Sequence, residues 1–75
     1  MMKHTSIREI IAEAVKERVQ TEVLFYIDGL THASSGFIER REIYQPGYYL
    51  NNAQLPLKRI VNPRRIDGIL RLEVK

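Results

Sequence analysis

Three residue types that hydrolases combine, an acid, a histidine and a serine, occur within eight positions of this chain. They are Asp28, His32, Ser34 and Ser35. Nucleophilic catalysis needs a base that a rigid scaffold holds against the nucleophile, together with a donor for the oxyanion. A polar stretch that directly follows Asp28-Gly29 has the composition of a turn. The sequence therefore predicts a polar loop over residues 31 to 35 and no catalytic site.

Metal chemistry has equally little support in the sequence. His4 and His32 are the only histidines and the chain has no cysteine. Neither histidine has a carboxylate or thiol at the spacing that metal ligands show. We expect a protein that is not an enzyme and that needs no metal and no cofactor.

A local excess of positive charge near the C-terminus is the clearest pointer to a ligand. The chain of 75 residues has a formal net charge of +3, and residues 58 to 75 hold six Lys and Arg against two Asp and Glu. Arginine predominates among the cations, and its planar fork matches phosphate geometry. A solvated, solubilising surface is the alternative interpretation. The candidate nucleic-acid contacts in this segment are Lys58, Arg59, Asn62, Arg64 and Arg65.

Tyrosines supply possible stacking platforms for unpaired bases. Tyr48 and Tyr49 are adjacent, and Tyr26 and Tyr44 lie elsewhere in the chain. Neighbouring residues of a strand point to opposite faces, so only one of Tyr48 and Tyr49 is expected against the core. The other is expected to be exposed or at an interface, and we expect most of these rings to lie in core or subunit contacts and not to stack on bases.

The element that precedes these residues is an amphipathic helix over residues 6 to 20. Ile7, Ile11, Ala14 and other apolar residues recur at spacings of three and four, which places them on one helical face. Ser6 stands three residues before Glu9 and predicts a capping box. A helix of this length is marginal alone in water, so its apolar face must cover something.

Five short strands are predicted after the helix. A first strand, ending at residue 27 before the Asp28-Gly29 turn, is apolar on both faces and is expected to be central and covered on both sides. Pro46-Gly47 suits the central positions of a type II turn, and Asn62-Pro63 suits the start of a single helical turn. The remaining strands are predicted at residues 36 to 44, 48 to 50, 55 to 61 and 69 to 74.

Residues 1 to 75 are therefore interpreted as a single α+β, mainly β domain: a helix and a strongly bent, antiparallel five-stranded barrel. A chain this short buries only about 60% of its unfolded surface. Without cysteine it has no disulfides to supplement the core, so a second copy or a partner is the expected source of further stability.

Residues 1 to 8 lack the apolar stretch of a signal peptide, and no apolar run approaches a membrane span. We expect a cytoplasmic protein without membrane contact.

Several short motifs resemble those of Sm-like small barrels, and of the bacterial Hfq-type RNA chaperones among them. These motifs are Glu17-Arg18-Val19 at the helix end, the strand that Asp28-Gly29 closes, Gly36-Phe37-Ile38, and the turn before the last strand. The Lys-His pair of that family's final turn is absent here. The chain resembles the small barrel of Rof, a family of Rho inhibitors that binds a protein, about as well.

The resemblance implies assembly by pairing of the fourth strand of one subunit with the fifth strand of another. We accordingly expect RNA or single-stranded nucleic-acid binding by a regulatory homo-oligomer. A protein-binding inhibitor or adaptor of phage or mobile-element type, and a small virion or tail subunit, are the alternatives. The interface residues implied by this assembly are Leu55, Leu57, Ile60, Ile69, Leu70 and Leu72.

Overall fold

The computed structural model describes residues 6 to 75, which form one helix, seven strands and one 3₁₀ turn. The predicted class, α+β with mostly strand, is confirmed, whereas the count of five strands is wrong. The elements are α1 (Ile7–Glu17), β1 (Gln20–Ile27), β2 (Leu30–Phe37), β3 (Glu39–Arg41), β4 (Gly47–Leu50), β5 (Ala53–Gln54), the 3₁₀ turn (Leu57–Arg59), β6 (Ile60–Ile66) and β7 (Ile69–Val74).

Helix α1 begins with the predicted capping box. The backbone N–H of Glu9 donates to Ser6 Oγ at 3.1 Å, and the Ser6 N–H donates to Glu9 Oε1 at 2.9 Å. The helix ends at Glu17 because Arg18 adopts a left-handed conformation with φ 54°, and the next residues enter β1. It is therefore shorter than the predicted 6 to 20. Ile11 and Ala14 are its buried residues, which places its apolar face on the core.

The larger sheet has the strand order β2-β1-β7-β6. Strand β1 pairs antiparallel with β2 and parallel with β7, and β7 pairs antiparallel with β6. Asp28-Gly29 closes the β1–β2 hairpin, as predicted, and Asp67-Gly68 closes the β6–β7 hairpin. All four of these turn residues have positive φ, the combination that two-residue type I′ turns require.

The smaller sheet has the order β3-β4-β5. Asn51 and Asn52 connect β4 to β5 with φ values of 50° and 68°, which asparagine tolerates better than most residues. Hydrogen-bonded ladders do not join the two sheets in the described part of the chain. They pack around a shared core without forming a closed barrel.

The core lies between α1, the smaller sheet and one face of the larger sheet. Strand β1 is central in its sheet, as expected, but only one of its faces is fully covered. Thr21 and Val23 are buried, Leu24 on the other face is half-buried, and Tyr26 is exposed. The buried cluster comprises Ile11, Ala14, Val23, Ile38, Tyr48, Leu50, Leu55, Ile60, Leu70, Leu72 and Val74.

Two predicted segments are corrected by the register of the larger sheet. The polar stretch 31 to 35 belongs to strand β2 and not to a loop, because its backbone pairs with β1 along the whole hairpin. The strand predicted at 36 to 44 is interrupted instead, since β2 ends at Phe37, β3 occupies only Glu39–Arg41, and residues 42 to 46 form no strand. The charged residues at 39 to 41 pair with β4 across this short edge.

Three further expectations fail in the second half of the chain. Residues 55 to 61 form the 3₁₀ turn and the start of β6, not one strand. Asn62, with φ 51°, lies at a break in the β6–β7 register, so Asn62-Pro63 forms a bulge within β6 and not a helical turn. Gly47 has φ 156° and begins β4, whereas the third residue of a type II turn has a φ of about +80°.

Candidate nucleic-acid interface

An open groove of about 1170 Å³ runs between α1, the smaller sheet and the 3₁₀ turn. Five cations and two carboxylates line it. Such an excess of positive charge in a concave surface concentrates anionic ligands. We name this surface the basic groove. Its charged lining residues are Arg8, Arg40, Arg41, Lys58 and Arg59, with Glu9 and Glu42.

Three separate elements bring these cations together. Arg8 lies in the first turn of α1, Arg40 and Arg41 lie on β3, and Lys58 and Arg59 lie on the 3₁₀ turn. The turn is fixed by Leu55, which is buried, and by an N–H···O bond of 2.9 Å from Arg59 to Pro56. The groove therefore depends on the packing of the helix against both the small sheet and the turn.

Ion pairs distinguish the groove cations from one another. Arg40 lies 3.5 Å from Glu42, and Arg41 lies 3.0 Å from Glu39. Arg59 donates through Nε to the backbone oxygen of Lys75. Among residues 6 to 75, no carboxylate lies within 4 Å of the charged groups of Arg8 or Lys58. These two exposed side chains can therefore contact a phosphate without breaking an ion pair.

Both members of the tyrosine pair are buried, contrary to the expectation that only one could be. Tyr48 belongs to the core cluster and is 8% exposed, and Tyr49 is 6% exposed. They do point to opposite faces of the sheet, but Tyr49 is covered by the Arg41 guanidinium, 4.2 Å from the ring centroid. Its hydroxyl donates to the backbone oxygen of Gln45. Neither ring is available for stacking on a base.

Tyr44 is the most exposed aromatic residue of the described chain, at 98%. It lies in the loop between β3 and β4, and the loop residues Glu42 and Pro46 line the basic groove. Its φ of 67° holds the backbone in a left-handed conformation. Proteins that bind single-stranded nucleic acid combine a cationic groove with exposed aromatic rings, and the Tyr44 ring is exposed on a loop that lines such a groove.

The cationic segment predicted from the sequence is divided in two. Lys58 and Arg59 line the basic groove, whereas Asn62 and Arg64 line a separate shallow depression on β6 with Pro63 and Glu73. Arg65 forms an ion pair of 3.0 Å with Glu17 at the end of α1. Lys58 and Arg64 are only six positions apart in the sequence, but they lie on different surfaces.

The predicted interface residues lie mostly within the chain's own core. Leu55, Ile60, Leu70 and Leu72 are buried, and Leu57 packs against the same cluster. Ile69 is partly buried at the start of β7. Because β7 lies between β1 and β6 in the sheet, its backbone is already paired on both sides. The pairing that was expected between subunits occurs within one chain.

Asp28, His32 and the two nearby serines do not form a catalytic triad in the structure. His32 and Ser34 lie on strand β2, and Ser34 Oγ accepts a hydrogen bond from Asn51 at 2.8 Å. No hydrogen bond joins His32 to Asp28 or to either serine. No group of three His, Asp or Glu side chains within residues 6 to 75 could hold a metal ion. His4 lies outside the described residues.

Sequence spacing alone gave no signal for Arg8, Arg40 and Arg41, because 32 positions separate Arg8 from Arg40 and 17 positions separate Arg41 from Lys58. Only the tertiary packing brings them to Lys58.

No helix within residues 6 to 75 has the length and apolar character needed to span a membrane. Comparison with known proteins found no matching family model, no matching curated protein and no matching solved structure.

Proposed function

We propose that this protein binds RNA or another single-stranded nucleic acid through the basic groove, as a non-catalytic, cytoplasmic regulatory protein that acts as a homo-oligomer. The observation that carries the proposal is the convergence of five cations from three elements on one concave surface. Phosphate contacts of this kind supply most of the affinity of sequence-independent binding. The resemblance to Sm-like RNA chaperones is a hypothesis that favours RNA over DNA.

In this proposal the groove and the β3–β4 loop have different roles. Arg8 and Lys58, exposed and without a carboxylate partner in the described chain, contact phosphates. Tyr44 stacks on a base of the same strand, since its ring is exposed on the loop whose residues Glu42 and Pro46 line the groove.

Charge reversal within the groove tests the proposal. Arg8→Glu with Lys58→Glu should weaken binding of a labelled oligouridine, measured by fluorescence anisotropy, by at least about tenfold. The control variant carries Lys16→Glu with Arg64→Glu, which changes the net charge equally on exposed cations outside the groove. It should bind within about twofold of the wild type. Equal losses in both variants would show that binding follows net charge and not the groove.

A protein-binding adaptor or inhibitor is the second candidate function. The observation that favours it is the exposed apolar tip of the β1–β2 hairpin, where Ile27 and Leu30 are 51% and 62% exposed. Copurification of a stoichiometric protein without nucleic acid would support this function, and a low ratio of absorbance at 260 and 280 nm would accompany it. Ring assembly without any nucleic-acid binding would instead indicate a virion or tail subunit.

A further inference from the structure

The two sheets have four edge strands, and three of them are poor templates for a further strand. Strand β3 has three residues, all charged, and β5 has two residues. Strand β6 is interrupted by the bulge at Asn62 and by Pro63, which has no N–H to donate. Short edges, charges, bulges and proline are the features that prevent pairing with another chain. The larger sheet is therefore protected along β6.

Strand β2 has none of these protections. It is eight residues long, pairs with β1 in one continuous register, and contains no Lys, Arg, Asp, Glu or Pro. Its first four residues are all exposed, including Leu30 at 62%. A long, regular and uncharged edge offers unpaired backbone groups to a further strand.

One side-chain contact shows which backbone groups of β2 face outward. Asn51 Nδ2 donates to the backbone oxygen of Ser35 at 3.0 Å, so the polar groups of Ser35 point away from β1. In an antiparallel pair, alternate residues exchange both hydrogen bonds with their partner strand and the others face away. Thr31 and Ala33 therefore also face outward. Within residues 6 to 75, no hydrogen bond reaches their outward N–H and C=O groups.

We propose that β2 pairs antiparallel with β2 of a second copy of this chain, about a two-fold axis, to form a continuous eight-stranded sheet. Asn51 occupies one end of the edge, so Thr31 and Ala33 are the residues left to pair. Only one register uses both of them in both copies. In this register Thr31 pairs with the partner's Ala33, and His32 lies directly opposite the partner's His32.

A second copy is a better occupant of this edge than an unrelated strand for two reasons. The two-fold register is self-complementary, which is the geometry of an isologous dimer interface, and it places no charged residues opposite one another. It also places two basic grooves on one particle, which multiplies weak phosphate contacts through effective concentration. This interface gives a structural basis to the self-association that the proposed function includes.

Charge substitutions at His32 test both the interface and its register. In the proposed dimer the two His32 positions form a non-hydrogen-bonded pair with Cα atoms about 4.5 Å apart. His32→Lys and His32→Glu should each weaken dimerisation by about tenfold or more, because like charges then face each other. An equimolar mixture of the two variants should form heterodimers at wild-type protein concentrations. Sedimentation equilibrium without nucleic acid, over a wide concentration range, gives the masses.

A second variant tests the backbone pairing itself. Ala33→Pro removes an outward N–H and leaves the bonds between β1 and β2 in place, since proline is tolerated on the open side of an edge strand. It should be monomeric with a wild-type circular dichroism spectrum. Arg64→Glu on the β6 edge is the control and should dimerise as the wild type does.

The possible outcomes separate the interface from nucleic-acid binding. A wild-type protein that is monomeric at every concentration, or His32 variants that self-associate like the wild type, would overturn the proposed interface. Failure of the mixed variants to form heterodimers would overturn its register. A monomeric His32→Lys protein should still bind a short oligouridine in its single groove, so loss of the dimer and loss of the groove's function are distinguishable.

Discussion

Removal of the two groove cations that have no carboxylate partner should change the salt dependence of binding by a calculable amount. The variant carries Arg8→Gln and Lys58→Gln. For single-stranded nucleic acid, the slope of log affinity against log salt is about −0.7 for each phosphate neutralised. If all five groove cations contact phosphates, the wild-type slope is about −3.5. If the ion pairs of Arg40 and Arg41 persist in the complex, it is about −2.1.

The double variant should reduce the magnitude of the slope by about 1.4 in either case. Between about 50 and 200 mM salt, the wild type should lose roughly 20-fold to 130-fold in affinity, and the variant about sevenfold less than the wild type. Anisotropy titrations of a labelled oligouridine at four salt concentrations measure both slopes. The comparison requires only the change in slope, so it is independent of how many arginines remain paired.

The matched control for this measurement is Lys16→Gln with Arg64→Gln, which removes the same charge from outside the groove. Its slope should remain within about 0.3 of the wild-type value. A control slope reduced as much as that of the groove variant would refute the reasoning, because it would show that the nucleic acid responds to the protein's total charge. An unchanged slope in the groove variant would refute it equally.

Three further predictions concern single side chains. Tyr44→Ala should weaken oligonucleotide binding by about 1–3 kcal/mol while Tyr44→Phe retains it, because stacking needs the ring and not the hydroxyl; equal losses in the two anisotropy titrations would contradict the stacking role. Ser6→Ala should lower the free energy of unfolding by about 1 kcal/mol, measured by urea denaturation, through loss of the capping box, and Ser6→Asp should restore most of it. Leu70→Ala should lower the free energy of unfolding by about 2–5 kcal/mol, since Leu70 is completely buried in the core cluster; an unchanged urea midpoint would show that the core is not packed as described.

Local signals in the sequence predicted the elements whose causes are local. The Ser6 and Glu9 capping box, the Asp28-Gly29 turn and the last strand all appear where they were expected. Each depends on residues within a few positions of one another. The helix end was predicted too late in the chain because Arg18 adopts a left-handed conformation. The sequence gives no sign of this, since glycine and, less often, asparagine or aspartate are the residues that usually adopt it.

The errors arose where pairing partners decided the conformation. The polar residues 31 to 35 have the composition of a turn but form a strand, because β1 supplies a complete set of hydrogen bonds along the hairpin. One of Tyr48 and Tyr49 was expected to be exposed or at an interface, but both are buried, because Arg41 and the adjoining loop cover Tyr49. The parallel pairing of β1 with β7 joins segments about 50 positions apart. The sequence of a short apolar strand does not predict which other strand it will pair with.

The sequence by itself determined the class of this protein, its capping box, the Asp28-Gly29 turn, and the excess of cations in its C-terminal segment. The charge of a segment follows from its composition, and a cap or a tight turn depends on residues within a few positions of one another. Both can therefore be predicted without knowledge of the fold. Only the tertiary structure decided which cations share a surface: it separated Arg64 and Arg65 from Lys58 and brought Arg8, Arg40 and Arg41 to it. A binding surface is set by distances in space, and long-range packing of α1 against two sheets fixes those distances.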